Sequence, residues 1–238
     1  MIKRELYMNR IRPFIGGELI KVMTGIRRSG KSVMLELIKE ELAEAGVAPS
    51  QMISINFEDM RYSHLQTATA LHDEIIKRAE GIEGKAYLFF DEIQEVEGWE
   101  KCVNSLRVAL DCDIYITGSN AKLLSGELAT YIGGRYVEFV IYPFSFAEFL
   151  ELYHTIAPSD SIQQCFQKYL LAGGMPYLAN LRYEEEPSRQ YLTDLFNSVQ
   201  LKDIVKRNKI RDIDLLERII AYMTANVGTV FSASSLAK

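Results

Sequence analysis

The chain has 238 residues and a formal net charge of −5, with 48% hydrophobic and 25% charged residues, as in an ordinary globular protein. The negative charge excludes the chain as a whole as an electrostatic partner of nucleic acid, although a local basic patch is compatible with it. The sequence has no uncharged apolar run of roughly 18 residues and no secretion signal, so we predict a cytoplasmic protein without a membrane segment.

Residues 1–18 are predicted to form a helix, in the segment KRELYMNRIRPF, which is interrupted at Pro13. A glycine turn at residues 16 and 17 then leads into the first strand. We interpret the leading element as a solvated helix, and the alternative is that its arginines approach a bound nucleotide; these arginines are Arg4, Arg10 and Arg12.

Residues 19–32, LIKVMTGIRRSGKS, combine a short apolar run with the pattern G-x-x-x-x-G-K-S. A helical spacing of apolar residues follows, so the order strand, glycine loop, helix predicts a phosphate-binding P-loop at residues 25–32. Backbone N–H groups in such a loop converge on phosphate oxygens, and the helix N-terminus adds a favourable dipole. The predicted nucleotide-binding residues are Gly25, Ile26, Arg27, Arg28, Ser29, Gly30, Lys31, Ser32 and Val33.

Two side chains of the P-loop have specific predicted roles. Lys31 would reach the β- and γ-phosphates and take part in catalysis, and the Ser32 hydroxyl would ligate Mg²⁺.

After a second predicted strand at 51–57, residues 85–94, KAYLFFDEIQ, have the continuous apolar run of a strand buried on both faces. This strand delivers Asp91 and Glu92 to its carboxyl end. Behind a P-loop, such a pair is typical of a Walker B site, in which Asp91 binds Mg²⁺ through water and Glu92 activates the attacking water. The alternative is a solvated acidic loop, because Glu95 and Glu97 follow.

Residues 113–120 predict a fourth strand that ends in the polar residues Thr117, Ser119 and Asn120, which would lie beside the Walker B end. Ser119 or Asn120 would hold the attacking water beside the Walker B end, which is the sensor-1 role, and we take Asn120 as the candidate. The alternative is that these side chains cap the next helix.

A fifth strand follows Arg135, in the segment YVEFVIYP. Arg135 is a candidate for neutralising transition-state charge, either on a neighbouring subunit's γ-phosphate in a homo-oligomer or in its own subunit. The alternative is an arginine in a surface loop.

The remainder is predicted to be helical, beginning with a capping box of Ser145 and Glu148. We predict a P-loop domain at 1–155, a helical lid-like domain at 156–211 and the beginning of a winged-helix-like domain at 212–238. A basic cluster within 202–211 is interpreted as a solvated helix face rather than a nucleic-acid site; it consists of Lys202, Lys206, Lys209, Arg207 and Arg211.

The last stretch predicts a helix at 213–226, a short extended segment, and a new helix capped by Ser232. This is the opening of a winged helix-turn-helix without its recognition helix. We therefore expect a piece of a longer protein, in which the apolar face of 213–226 is exposed and the missing part is a possible contact with DNA.

The segments TGIRRSGKS, FFDEIQ…GW, ITGSNAKLLS, GGRY, YPFSFAEFL and LAGGMPYL together resemble one prokaryotic family of AAA-type ATPases. Members have an archaeal-ATPase-like N-terminal domain and a C-terminal domain of unknown function. The resemblance implies an α/β P-loop NTPase of the AAA/ASCE type with parallel sheet order 5-1-4-3-2, followed by a small all-α domain. It also implies Mg-ATP as ligand, Arg135 as an arginine finger, and a turn near the nucleotide at residues 174–176.

The leading functional hypothesis is ATP hydrolysis, or an ATP-driven switch acting on an unidentified partner. A GTPase is disfavoured because the motif N-K-x-D is missing: Asn208, Lys209 and Ile210 are followed by Arg211. The alternative is a regulatory or DNA-binding module that binds ATP without hydrolysing it. Such a module would have the same sequence motifs as the hydrolase, but it would not strictly require Glu92.

Overall fold

A computed structural model describes residues 2–118, 132–199, 205, 210, 212–230 and 232. Within these ranges no helix combines the length and hydropathy that crossing a bilayer requires. The strands are β1 (Ile20–Thr24), β2 (Met52–Asn56), β3 (Ala86–Asp91), β4 (Cys112–Thr117) and β5 (Tyr136–Val140). The helices are α1 (Glu5–Ile11), α2 (Lys31–Glu44), α3 (Ala68–Ala79), α4 (Trp99–Ala109), α5 (Phe146–Tyr153), α6 (Ile162–Ala172), α7 (Glu185–Val199) and α8 (Ile213–Ala225).

The five strands form one parallel sheet in the order β2-β3-β4-β1-β5. This is the predicted order 5-1-4-3-2 seen from the other side, so the predicted fold class is confirmed. Because all strands run the same way, their carboxyl ends meet at one edge, where ligands of open α/β sheets bind. The P-loop after β1 and the acids after β3 are thus brought to the same edge, with β4 between them.

Alternation of side chains along the strands supplies both faces of the sheet with apolar groups. Val22, Leu88 and Phe90 belong to the core beneath α3 and α4. Met23 and Phe89 belong to the core beneath α1 and α2. The continuous apolar run of β3 is explained by this burial between two helical layers.

The segment after β5 begins α5 with the predicted capping box, in which the Ser145 hydroxyl accepts a hydrogen bond from the Glu148 N–H. The ring of Phe149 in α5 stacks on Tyr153 and packs against Tyr169 and Tyr183, with ring centroids 5.0–5.2 Å apart. These contacts hold α6 and the following turn against α5. The aromatic residues after β5 therefore build a local core.

The chain divides into two compact units, Met1–Glu184 and Glu185–Lys238. The first unit extends past the predicted boundary at residue 155, because the aromatic contacts of α5 include residues up to 183. The three-domain division stays a prediction.

In the second unit, no residue of α8 is buried, and its exposed apolar side chains are Ile213, Leu215, Tyr222 and Met223. The basic cluster at 202–211 and the final helix predicted after Ser232 lie outside the described residues.

A buried ion pair closes the sheet at the edge opposite the P-loop. Lys21 in β1 and Asp113 in β4 form a salt bridge, and both side chains are fully buried. The second Asp113 oxygen accepts from the Gly16 N–H at 2.6 Å and from the Tyr115 hydroxyl at 2.7 Å, while Lys21 Nζ donates to Gly17 O at 3.0 Å. The pair thereby fixes the glycine turn that leads into β1.

We predict that Asp113→Asn lowers the free energy of unfolding by about 3 kcal/mol, because it leaves the buried Lys21 cation without a counter-ion. Urea unfolding followed by circular dichroism measures the change. Asp111→Asn is the matched control, since it breaks an exposed pair with Lys85 and should cost less than about 1 kcal/mol. Equal losses in the two variants would contradict the assigned role of the buried pair.

Candidate nucleotide-binding site

The backbone of the P-loop has the shape that its glycines permit. Between the end of β1 at Thr24 and the start of α2 at Lys31, Gly25 has φ 142° and Gly30 has φ 100°, both in the region that favours glycine. A Cβ on Gly25 would lie 2.2 Å from the Ile141 carbonyl oxygen. Glycine is therefore required at position 25 by conformation and by close packing against the chain after β5.

Lys31 is held inside the P-loop by carbonyl groups. Its side chain is almost fully buried, and Nζ donates to Gly25 O at 3.3 Å and to Ile26 O at 3.1 Å. Glu92 Oε1 lies 3.9 Å from the same nitrogen. Burial lowers the pKa of Lys31, while Glu92 and Asp91 act to raise it. A phosphate can replace the carbonyl acceptors and compensate this cation more fully.

Asp91 is a buried carboxylate on which three elements converge. Ser32 Oγ at the start of α2 donates to Oδ1 at 3.1 Å, and the Thr117 hydroxyl at the end of β4 donates to the same oxygen. Asn56 Nδ2 at the end of β2 donates to Oδ2 at 3.1 Å. The structure thus joins the two predicted metal ligands, Ser32 and Asp91.

Asn56 was not among the predicted site residues. The signal that identifies it is a polar residue at the carboxyl end of the strand next to β3. Thr117, one of the polar residues predicted at the end of the fourth strand, is the last residue of β4 and lies two residues before Ser119. Both side chains orient the carboxylate of Asp91.

Glu92 has a left-handed backbone with φ 56°, which is uncommon for a residue other than glycine. Its N–H donates to Thr117 Oγ1 at 3.0 Å, and its carboxylate accepts from Gln94 Nε2. This conformation turns the chain sharply after β3. The Glu92 carboxylate is thereby placed beside Lys31 at the carboxyl edge of the sheet.

The structure does not bring Arg135 to the P-loop of the same chain. The Arg135 carbonyl accepts from the Ile20 N–H at 2.9 Å, at the beginning of β1, and its guanidinium donates to Asn104 Oδ1 at 2.9 Å. At about 3.3 Å per residue, the length of β1 separates it from the P-loop. A role of Arg135 on a neighbouring subunit stays a prediction. The sensor candidates Ser119 and Asn120 lie outside the described residues.

The interpretation of the leading helix as solvated is wrong for Arg4. Arg4 is 3% exposed, and its Nη1 donates to the Ser29 carbonyl of the P-loop at 3.0 Å. The left-handed backbone at Arg4, with φ 47°, directs the chain into α1 while the side chain stays inside. Arg10 is exposed, and Arg12 pairs at the surface with Glu5 and Glu41.

The residues present fit a magnesium nucleotide. Mg²⁺ prefers hard oxygen ligands, and Ser32 Oγ and Asp91 Oδ1 are two such oxygens. They lie 3.1 Å apart. Lys31 and the N-terminus of α2 supply positive charge to an anionic ligand. Ser32 is exposed to solvent, so this side of the loop is open to a ligand.

A profile of the AAA domain family AAA_14 matches residues 18–150, more than half of the chain. The chain belongs to this family. The match includes the P-loop and all five strands, so the first unit has the P-loop fold of an AAA NTPase. A second profile, a domain of unknown function (DUF8612), matches residues 163–238.

Two relatives of this AAA protein are described as uncharacterized proteins. A protein of Haemophilus influenzae is 39% identical over 237 residues, covering 99% of this chain and 58% of its own length. The protein MJ1544 of Methanocaldococcus jannaschii is 32% identical over 231 residues, covering 92% of this chain and 50% of its own length. The chain spans about half the length of the curated relatives it matches.

Among solved structures, a RuvB mutant of Thermotoga maritima is similar at 15% identity and a TM-score of 0.47, covering 99% of this chain and 79% of its own. AMPPCP-bound DnaA from Aquifex aeolicus is similar at 15% identity and a TM-score of 0.48, and the match covers 97% of this chain and 71% of the DnaA chain. Likeness at this level adds nothing to the family assignment.

We predict that Thr117→Val weakens Mg-ATP binding about tenfold, because the variant loses the hydroxyl that donates to Asp91 and accepts from Glu92. Isothermal calorimetry measures the affinity. Thr117→Ser keeps the hydroxyl and is the matched control, expected to bind like the wild type. The same affinity in the valine and serine variants would show that this hydroxyl does not organise the site.

Proposed function

We propose that this AAA protein binds Mg-ATP and hydrolyses it, and that hydrolysis drives or switches a partner. The observation that carries the proposal is the convergence of Lys31, Ser32, Asp91 and Glu92 at one edge of the sheet. Two of these groups open α2 and two lie at the end of β3, with Ser32 and Asp91 separated by 59 residues in sequence. They supply the charge, metal ligation and proton acceptor that phosphoryl transfer to water needs.

In the proposed reaction, Lys31 binds the β- and γ-phosphates. Ser32 and Asp91 hold Mg²⁺, which when bound neutralises charge on the phosphate oxygens. Asn56 and Thr117 keep the Asp91 carboxylate in one orientation through their hydrogen bonds.

Glu92 is proposed to accept a proton at its carboxylate from the attacking water. Its place beside Lys31 supports this role, because Lys31 is the group that binds the terminal phosphate. In the present arrangement its carboxylate also accepts a hydrogen bond from Gln94. A general base must reach the attacking water, so this contact would have to loosen or be shared during turnover.

Arg135 is proposed to act in trans, in a homo-oligomer. Its place at the opposite edge of the sheet favours action on a neighbouring subunit over action in its own. Asn120 remains the proposed sensor.

The first test concerns nucleotide binding. We expect Lys31→Ala to abolish Mg-ATP binding in calorimetry, because the phosphates lose their main cationic partner. Lys39→Ala is the matched control: it removes a lysine from the same helix that pairs with Glu36, and it should bind like the wild type. Unchanged affinity in Lys31→Ala would refute the P-loop assignment.

The second test separates an enzyme from a binding module. Glu92→Gln keeps the shape of the side chain but cannot accept the proton, so it should bind Mg-ATP and show turnover reduced at least 100-fold, about the lower value for general-base catalysis. Phosphate release, measured with and without DNA, gives the rate. Wild-type turnover in this variant would contradict the role of Glu92. A wild type that binds but never hydrolyses ATP would support a regulatory module.

A further inference from the structure

A buried arginine contacts the P-loop from the side of the leading segment. The Arg4 side chain is 1% exposed, and its guanidinium donates in three directions. Nη1 donates to Ser29 O at 3.0 Å, Nη2 to Tyr142 O at 2.8 Å, and Nε to Glu148 Oε1 at 2.7 Å. One side chain thus joins the P-loop, the turn after β5 and the start of α5.

The contact with the P-loop is made at Ser29, where the loop turns before α2. Ser29 lies between Arg28, with φ 63°, and Gly30, with φ 100°. A left-handed residue other than glycine, such as Arg28, persists only where surrounding groups fix it. A Cβ on Gly30 would lie 3.3 Å from Arg4 Nη1, so the guanidinium is packed directly against this turn. Arg4 therefore supplies a fixed donor where the loop reverses before α2.

Glu148, the carboxylate that accepts from Arg4 Nε, is itself fixed by further hydrogen bonds. Glu148 accepts from the Ser145 N–H at 2.8 Å and from the Ser145 hydroxyl at 3.0 Å, in addition to Arg4. Burial acts to raise the pKa of Glu148, but the hydrogen bonds from Arg4 and Ser145 outweigh it and leave this pKa below its usual value. The guanidinium also lies over the rings of Tyr7 and Phe144, at 4.6 and 5.1 Å.

We propose that Arg4 is a positioning residue for nucleotide binding, which fixes the P-loop backbone through the Ser29 carbonyl. Arg4 does not touch the ligand; it acts through the loop that does. The inference rests on the proposed function as far as nucleotide affinity is concerned. Its effect on the loop itself is independent of any ligand.

Four variants separate this role from a general contribution to stability: Arg4→Gln, Arg4→Lys, Glu148→Gln, and the double variant Arg4→Gln/Glu148→Gln. Each is measured for melting temperature and, well below that temperature, for Mg-ATP affinity. Hydrogen exchange at residues 25–31 is recorded without nucleotide. Arg12→Gln is the matched control, because Arg12 binds α2 through Glu41 but does not contact the P-loop.

Arg4→Gln is expected to lower the melting temperature, to weaken Mg-ATP binding about tenfold and to speed exchange in the P-loop. Arg4→Lys should weaken binding too, because an ammonium on a flexible stem does not reproduce the planar guanidinium, whose separate nitrogens donate to Ser29 O, Tyr142 O and Glu148. Glu148→Gln should lower the melting temperature, since it removes the counter-ion, yet keep the affinity within about twofold of wild type. The double variant should regain thermal stability relative to Arg4→Gln, but not affinity. Arg12→Gln should leave affinity and exchange unchanged.

If the affinities follow the melting temperatures across the series, or if the double variant binds like the wild type, Arg4 is only structural and the inference is overturned. Should Arg4→Gln not fold, the double variant and Arg4→Lys decide the question. A wild type that does not bind Mg-ATP would refute the proposed function alone. In that case, hydrogen exchange at residues 25–31 without nucleotide still shows whether Arg4 fixes the P-loop backbone.

Discussion

One buried carboxylate determines the geometry of the site. Asp91 is removed from water, and an ionised carboxylate in that position is stable only when donors surround it. Ser32, Asn56 and Thr117 are those donors, and each ends or begins a different element. By satisfying one charge, the chain fixes α2, β2 and β4 relative to β3. Thr117 also accepts from the N–H of the adjacent Glu92, whose carboxylate lies beside Lys31, so one hydroxyl links both acids of this sheet edge.

The two edges of the sheet use charge in different ways. At the amino edge, Lys21 and Asp113 are fully buried and satisfy each other together with the glycine turn before β1, which closes that edge. At the carboxyl edge, Ser32 remains exposed, and Lys31 is bound mainly to carbonyl groups that an anion can replace. A parallel sheet makes this division possible because it collects all strand ends of one kind on one side.

The site residues that the sequence predicts are those whose role depends on local pattern. The glycine spacing defines the P-loop, and an apolar run ending in two acids defines β3 and its pair, whereas the sheet order came from the resemblance to a family. Asn56 was missed, and Arg4 was interpreted as part of a solvated helix, because the partners of both side chains lie far away in sequence. The polar stretch at 155–161 resembles a domain boundary, but aromatic packing on Phe149 continues the first unit to residue 184.

The topology also sets the order in which the site can form during synthesis. The strand β1 precedes the P-loop, but its neighbours are β4 and β5: Lys21 is in register with Tyr115 on one side and Val137 on the other. Ile141, against which Gly25 packs, comes later still. Contacts between such distant segments form slowly, because the intervening chain must close a long loop first. The packing of Gly25 against Ile141 can therefore form only after β5 has left the ribosome, so this contact of the P-loop is among the last that the sheet acquires during synthesis.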